Sequence, residues 1–198
     1  MKIAIMGVQN SGKSTLINNL QNKFKKIICY KEKLGELINK VNDTKLVNLE
    51  FNENTDDLTQ LLFAGYFINL MENNKNNKNN IEIYDRCLLD CLVYWEDLFE
   101  GDILKLKYLK YKNKTILEYI QDTLSYFDVF VFLEGGAYPL VNDNIRSINP
   151  DYFIECNNKY KVLYNFLIDN SKNIVRFFTK EQIKLNKHYK FMYQYIGN

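Results

Sequence analysis

Short apolar runs alternate with longer stretches in which apolar residues recur at helical spacing. The apolar runs have the length and composition of buried β-strands, and they lie at residues 2–6, 26–30, 81–85, 128–133 and 174–178. Strands that alternate with helices predict an α/β fold. We therefore expect a three-layer αβα sandwich around a parallel sheet of about five strands.

Three of the intervening segments have clear helical patterns. From a cap at Thr55, an apolar face is predicted to run to about Met71 and to comprise Leu58, Leu61, Leu62, Gly65 and Ile68. Thr115 is the predicted cap of a helix, and Asn149 followed by Pro150 predicts the start of another. A C-terminal helix is predicted from the spacing of Leu185, Tyr189, Met192 and Ile196.

The polar stretches of the chain indicate loops, and none of them indicates a boundary between domains. Residues 72–80 consist of Glu, Asn and Lys and predict a solvated loop. Because a strand of the same sheet is expected directly afterwards, residues 1–198 are predicted to form a single domain. Residues 105–112 interleave lysines with tyrosines, a pattern that suits nucleic-acid binding or, more commonly, a solvated helix or loop.

Composition narrows the function classes. The formal net charge of +2 is too small to indicate nucleic-acid or membrane binding by itself, and no apolar run reaches the roughly 18 residues of a membrane span. The four cysteines form no C-x-x-C pair, and the first strand begins at once, without room for a signal peptide. We expect reduced thiols and a cytoplasmic protein.

The strongest motif lies between the first strand and the first helix. The sequence GVQNSGKS at residues 7–14 fits G-x-x-x-x-G-K-[ST], the phosphate-binding P-loop. The backbone N–H groups of this loop and the N-terminus of the following helix favour the binding of an anion. Lys13 would reach the β- and γ-phosphates, and the Ser14 hydroxyl would bind Mg²⁺. The predicted nucleotide-binding residues are Gly7, Gln9, Asn10, Ser11, Gly12, Lys13, Ser14 and Thr15.

Charged residues follow two further predicted strands. Asp85 ends an apolar strand, as the acid of a Walker B element does, and would hold Mg²⁺ directly or through water. Arg86 beside it suits a clamp on a phosphoryl group. The alternative is that Asp85 caps the next helix and Arg86 makes a surface ion pair. Glu32 follows the second strand, at the end of a parallel sheet where ligands bind, so its carboxylate could contact a substrate. The alternative is that Glu32 is an ordinary surface charge.

A loop with an acid and an arginine lies between the fourth strand and a late helix. Arg146 in this loop would stabilise charge on the transferring group, whereas a structural pair with Asp143 is the alternative. Phosphoryl-transfer enzymes often have a mobile lid at this place, so residues of about 135–152 are the predicted lid.

These motifs together resemble the P-loop nucleoside and nucleotide kinases, and in particular the small AAA-type kinases, which include the kinase domain of the bacterial NAD-biosynthesis regulator and phage deoxynucleotide kinases. The resemblance rests on the P-loop, on Asp85-Arg86 with Asp90 and Tyr94, and on residues 143–147, DNIRS. The last is similar to the D-G-x-R-S lid motif, with Asn144 in place of Gly. Glu32 lies where deoxynucleoside kinases carry the carboxylate that takes the acceptor proton.

The resemblance implies an ATP- and Mg²⁺-dependent kinase that acts on a nucleoside, a deoxynucleoside monophosphate or a related acceptor. It gives Lys13, Asp85, Arg86, Arg146 and Glu32 as catalytic residues, with Ser14 and Asp85 at the metal. Two alternatives stay open: a kinase acting on a nucleotide within DNA, and a nucleotide-binding regulatory ATPase. A GTPase is disfavoured because no D-x-x-G motif is found. A homodimer is expected by analogy only.

Overall fold

Five apolar segments pair into one parallel sheet. In the computed structural model, which describes residues 1–44, 57–75, 80–95, 107–139 and 149–197, they are β1 (Lys2–Met6), β2 (Ile27–Tyr30), β3 (Ile81–Asp85), β6 (Val129–Leu133) and β7 (Ile174–Phe178). Their order across the sheet is β2-β3-β1-β6-β7, with every neighbouring pair parallel. The predicted fold class is confirmed.

Helices cover both faces of the sheet. They are α1 (Lys13–Lys23), α2 (Leu34–Asn42), α3 (Asp57–Asn73), α4 (Leu88–Tyr94), α5 (Ile116–Tyr126), α6 (Pro150–Asn170), α7 (Lys180–Lys184) and α8 (Lys187–Gly197). Because side chains of a strand alternate between faces, Ala4 and Met6 of β1 pack with α2 to α6, and Ile3 and Ile5 pack with α1, α7 and α8. The molecule thus has two apolar cores with the sheet between them.

The predicted helix starts at Thr115 and Asn149 are confirmed. Thr115 accepts a hydrogen bond from the Glu118 N–H and completes a capping box, while Asn149 caps α6 with Pro150 in its first turn. Cys87, and not Asp85, is the cap of α4. That leaves the Asp85 carboxylate available for another role.

The predicted inner face of α3 is confirmed only in part: Gly65 and Ile68 are buried, but Leu58 is 53% exposed, and the face buried against the core also includes Phe63, Ala64, Phe67 and Met71. The predicted cap Thr55 lies outside the described residues. Apolar residues occupy both sides of this helix, so the spacing alone fitted two faces. The consequence is that Gln60, one turn before Phe63 and Ala64, faces inward.

Three other segments differ from expectation. The C-terminal helix is broken between α7 and α8, where Asn186 has φ 57° and Leu185 is 68% exposed. Residues 110–115 form a short antiparallel hairpin of β4 (Lys110–Tyr111) and β5 (Lys114–Thr115). The predicted loop at 72–80 starts later, because α3 continues to Asn73 and Asn74 accepts a hydrogen bond from the Tyr30 hydroxyl.

The two helices beside the carboxyl end of β3 are tied together by the only tryptophan of the chain. The Trp95 indole Nε1 at the end of α4 donates a hydrogen bond of 2.7 Å to Asp57 Oδ1 at the start of α3. In the described part of the chain, no helix is long and apolar enough to cross a bilayer. All four cysteines are free thiols.

Candidate active site

The P-loop leaves β1 and turns tightly against the neighbouring strand. Gly7 has φ 143°, and a Cβ there would lie 2.3 Å from the carbonyl oxygen of Leu133. Gly12 has φ 94°, and a Cβ there would lie 2.8 Å from the Tyr138 ring. A side chain would therefore clash with the backbone at Gly7 and would be strained by the left-handed φ at Gly12, as expected for a loop whose backbone must approach a phosphate closely.

Lys13 is folded into the hollow of this loop. Its Nζ atom donates hydrogen bonds to the carbonyl oxygens of Gly7 (2.8 Å) and Val8 (2.6 Å) and to Ser11 Oγ (3.2 Å). The side chain is buried, so the loop holds a positive charge in a place that is poorly hydrated. A buried ammonium group in the first turn of a helix suits a polyphosphate.

Ser14 and Asp85 come together at adjacent strand ends, because Ile5 of β1 is in register with Asp85 of β3. Ser14 Oγ donates to Asp85 Oδ2 at 3.3 Å. The buried Asp85 Oδ1 has no hydrogen-bond partner among the described residues. Burial raises the pKa of Asp85, and the charges of Lys13 and Arg86 oppose that rise.

These two side chains fit a magnesium ion. A hydroxyl and a carboxylate with an oxygen that lacks a partner are the hard oxygen donors that Mg²⁺ prefers, completed elsewhere by water and phosphate. A cation here would also remove the cost of burying the carboxylate without a hydrogen bond.

Glu32 and Arg86 meet although they follow different strands. Arg86 Nε donates to Glu32 Oε2 at 3.3 Å, and Glu32 Oε1 accepts from the N–H of Leu34 at the start of α2. The side chains are 3% and 8% exposed for Arg86 and Glu32. From the sequence alone, Glu32 could have been a surface charge and Arg86 part of a surface ion pair. The burial of both side chains rules out these alternatives.

The other end of the Arg86 guanidinium is enclosed. Its Nη1 atom donates to Asp90 Oδ1 at 3.1 Å and to the Tyr160 hydroxyl at 2.8 Å, with the Tyr94 hydroxyl at 3.5 Å. Burial by itself would lower the pKa of Arg86, but the surrounding oxygens raise it well above its usual range. The guanidinium therefore stays charged.

Gln60 is a candidate that we did not predict from the sequence. It lies in α3 with 1% of its surface exposed, and neither Nε2 nor Oε1 has a hydrogen-bond partner in the described part of the chain. It lines a small cavity of about 10 Å³ with Leu34, Phe63, Phe67, Arg86, Asp90, Cys91 and Tyr94. A buried amide with both polar atoms unpaired is costly unless an ordered water molecule or a ligand completes it.

The remaining predicted residues divide into two groups. Asn10 Nδ2 donates to the Pro139 carbonyl at 3.3 Å, so the first part of the predicted lid, residues 135–139, lies beside the P-loop. Gln9 and Thr15 belong to the loop and to the first turn of α1. Arg146 and Asp143 lie outside the described residues.

Comparison with solved structures finds several kinases of the same fold. Deoxyadenosine kinase from M. mycoides, with the products dCMP and a flexible dCDP bound, has a TM-score of 0.61 at 19% identity, over 97% of this chain and 100% of that chain. Thymidylate kinase from Candida albicans has a TM-score of 0.56 at 20% identity, over 98% and 91% of the two chains. Thymidylate kinase from Ehrlichia chaffeensis reaches 0.50 at 16% identity, over 90% and 86%.

At the level of sequence, no curated protein matches the chain. The profile of a protein family described as an AAA domain matches residues 2–167, most of the chain. The resemblance expected from the P-loop and from Asp85-Arg86 is thereby confirmed. The chain belongs to this family of AAA domains and has the fold of the P-loop nucleoside and nucleotide kinases.

Proposed function

We propose that the protein is an ATP- and Mg²⁺-dependent kinase whose acceptor is the hydroxyl group of a nucleoside. The observation that carries the proposal is the buried Glu32–Arg86 pair, which belongs to the same strand-end cluster as Ser14 and Asp85. A carboxylate next to a phosphate-binding loop provides a base, which an acceptor hydroxyl needs and an acceptor phosphate does not.

In the proposed reaction, the acceptor oxygen attacks the γ-phosphorus of ATP. A new P–O bond forms as the bond between that phosphorus and the β,γ-bridging oxygen breaks, and ADP leaves. Glu32 takes the hydroxyl proton, while Arg86 orients the acceptor and Lys13 binds the β- and γ-phosphates. Arg146 remains a proposed stabiliser of the transferring group.

Mg²⁺, when held by Ser14 and Asp85, would neutralise charge on the β- and γ-phosphates. Asp85 is suited to this role because it is a carboxylate kept among the cations Lys13 and Arg86. The two residues are oriented before any metal binds, by their mutual hydrogen bond.

The charge of the pocket supports an uncharged acceptor. Among the described residues of the cluster, Lys13 and Arg86 are opposed by the carboxylates of Glu32, Asp85 and Asp90. The Arg86 guanidinium already contacts the carboxylates of Glu32 and Asp90, so a monophosphate bound there would be repelled by both carboxylates. A neutral nucleoside avoids that repulsion.

Gln60 supports a planar acceptor with paired hydrogen-bonding groups. Its amide offers one donor and one acceptor side by side, and apolar and aromatic residues surround it in the pocket. A nucleobase has the flat shape and the adjacent donor and acceptor atoms that would pair with this amide, once the cavity of about 10 Å³ widens to admit it. We propose that Gln60 contacts the base of the acceptor.

The decisive experiment is a coupled assay of ADP release with Mg²⁺-ATP and a panel of nucleosides, deoxynucleoside monophosphates, nicotinamide riboside, and single- and double-stranded DNA. We expect strong stimulation by one or more nucleosides and none in Lys13→Ala, whose loop lacks the phosphate-binding charge. Stimulation only by monophosphates would contradict the acceptor class. Stimulation only by DNA, with strong salt dependence, would favour the nucleic-acid alternative.

Two further expectations accompany the proposal. A homodimer is checked by light scattering of the purified protein, and the cytoplasmic location by fractionation of the source cells. ATP binding without stimulation by any acceptor would favour the regulatory ATPase.

A further inference from the structure

The backbone of Arg86 has a conformation that is uncommon for a residue with a side chain. Its φ is 72°, and its N–H donates to the carbonyl of Ile5 on the adjacent strand. A left-handed residue at the end of a strand does not continue the side-chain alternation of that strand. The direction of the guanidinium therefore depends on the side chains that contact it.

Those contacts form a closed triangle. Arg86 Nη1 donates to the Tyr160 hydroxyl at 2.8 Å and to Asp90 Oδ1 at 3.1 Å, and the Tyr160 hydroxyl donates to the same Oδ1 at 2.6 Å. All three side chains are buried. Asp90 is fixed from its other oxygen, because Oδ2 accepts from the N–H of Cys87.

The Arg86 guanidinium is planar, and it is held at two different atoms, one by the triangle and one by Glu32. With Nη1 in the triangle and Nε on Glu32, the guanidinium has a single orientation, since it cannot rotate about either contact without breaking the other. Nη2, by contrast, makes no hydrogen bond to the described part of the chain. It is the donor left for the acceptor molecule.

We propose that Tyr160 is a positioning residue of the kinase reaction: its hydroxyl fixes Arg86 so that Nε orients the Glu32 carboxylate and Nη2 contacts the acceptor. This inference rests on the proposed function. Tyr160 belongs to α6, so a helix remote in sequence from β3 sets the geometry of the residue that follows β3. The Tyr160 ring packs edge-on against Tyr94 and Phe132, and those contacts do not need the hydroxyl.

Tyr160→Phe removes the hydroxyl and keeps the ring. Tyr164→Phe is the matched control, because Tyr164 lies one turn later on α6 and its ring contacts Phe132 and Phe177, away from Arg86. For Tyr160→Phe we expect the kcat with a nucleoside to fall about tenfold or more, the size of one hydrogen bond to a charged group. The KM for ATP should stay unchanged, and Tyr164→Phe should match the wild type.

A second readout does not depend on turnover. The chain has three arginines, Arg86, Arg146 and Arg176, so ¹⁵N-arginine labelling of the full chain gives few side-chain Nε–H signals. Arg146→Lys and Arg176→Lys assign the Arg86 signal by elimination. We expect slow exchange of the Arg86 Nε–H with water in the wild type and in Tyr164→Phe, and exchange at least several-fold faster in Tyr160→Phe.

The combined outcomes separate the two proposals. A wild-type protein without nucleoside-dependent turnover overturns the proposed function, and with it the role of Tyr160 in that reaction. An active wild type with an unchanged Arg86 signal in Tyr160→Phe overturns the positioning role alone. A changed signal with unchanged kcat and KM overturns it as well, because Tyr160 would then only support the fold. A changed signal with reduced kcat supports it.

Discussion

Glu32 Oε2 and Arg86 Nε lie 3.3 Å apart in a buried ion pair that joins the residues following two neighbouring strands. The chain separates these residues by more than 50 positions, and the order β2-β3-β1 brings them together beside the P-loop. The proposed base, Glu32, and a hydrogen-bond donor, Arg86, are thereby held at one place before any substrate arrives. Such preorganisation is a large part of what an enzyme site contributes.

Glu32→Gln should lower the kcat with nucleoside acceptors by about 10²–10⁴-fold, the range for loss of a general base. An amide keeps the size of the side chain but does not take the acceptor proton. Steady-state kinetics with a nucleoside and a monophosphate measure the effect. Glu36→Gln is the control, since Glu36 is exposed and pairs only loosely with Lys33. An equal loss with both kinds of acceptor would speak against Glu32 as the base.

Asp85→Asn should raise the Mg²⁺ concentration needed for half-maximal activity by about tenfold or more. The same variant should be at least as stable as the wild type in the absence of metal, because burial raises the pKa of Asp85 and an uncharged amide avoids that cost. Magnesium titrations and thermal unfolding in EDTA test the two effects. Asp169→Asn, at an exposed site on α6, should change neither, and a lower Tm for Asp85→Asn would refute the argument from burial.

Gln60→Leu should stabilise the protein by about 1–2 kcal/mol, because it removes a buried amide that lacks hydrogen-bond partners. It should also reduce kcat/KM for the acceptor about tenfold or more, with little change in KM for ATP. Urea unfolding and kinetics with the acceptor varied give the two values. Gln121→Leu, on the exposed side of α5, provides the comparison, and reduced stability together with normal acceptor kinetics would show that Gln60 is structural.

His188 should make the protein sensitive to acid. Burial lowers its pKa from 6.5 to about 4, so between these values the unfolded chain binds a proton that the folded chain does not. Stability therefore falls as the pH decreases through this window, by up to about 3 kcal/mol. His188→Phe keeps an aromatic ring beside Phe178 and should flatten the free energy of unfolding between pH 6.5 and 4. An identical slope in both proteins would disprove the prediction.

The sheet could be predicted because its strands are short apolar runs of the kind that only a doubly covered parallel sheet buries. The P-loop was equally accessible, since one contiguous motif carries it. The inner face of α3 was predicted only in part, because Leu58, Leu61 and Leu62 fit one side and Phe63, Phe67 and Met71 the other. Because of that ambiguity Gln60 was not recognised as a buried residue: it belongs to the inner face only if the side with Phe63, Phe67 and Met71 is taken as the inner one.

The triangle around Arg86 lay beyond the reach of sequence reasoning for a different reason. Tyr160 falls on the apolar face of α6, where an aromatic residue needs no further explanation. Its hydroxyl contacts Arg86 only because α6 packs against α4 and the end of β3. Tertiary contacts between distant segments are not encoded in any local period.

The indole of Trp95 spans the two walls of the pocket that Gln60 lines. Its hydrogen bond reaches Asp57, one turn before Gln60 on α3, while Tyr94 of the pocket is its neighbour in the chain. An acceptor that separates α3 from α4 must stretch this bond and change the surroundings of the only tryptophan. We therefore expect its fluorescence emission to change when the proposed acceptor binds, without attached dyes and in the absence of ATP.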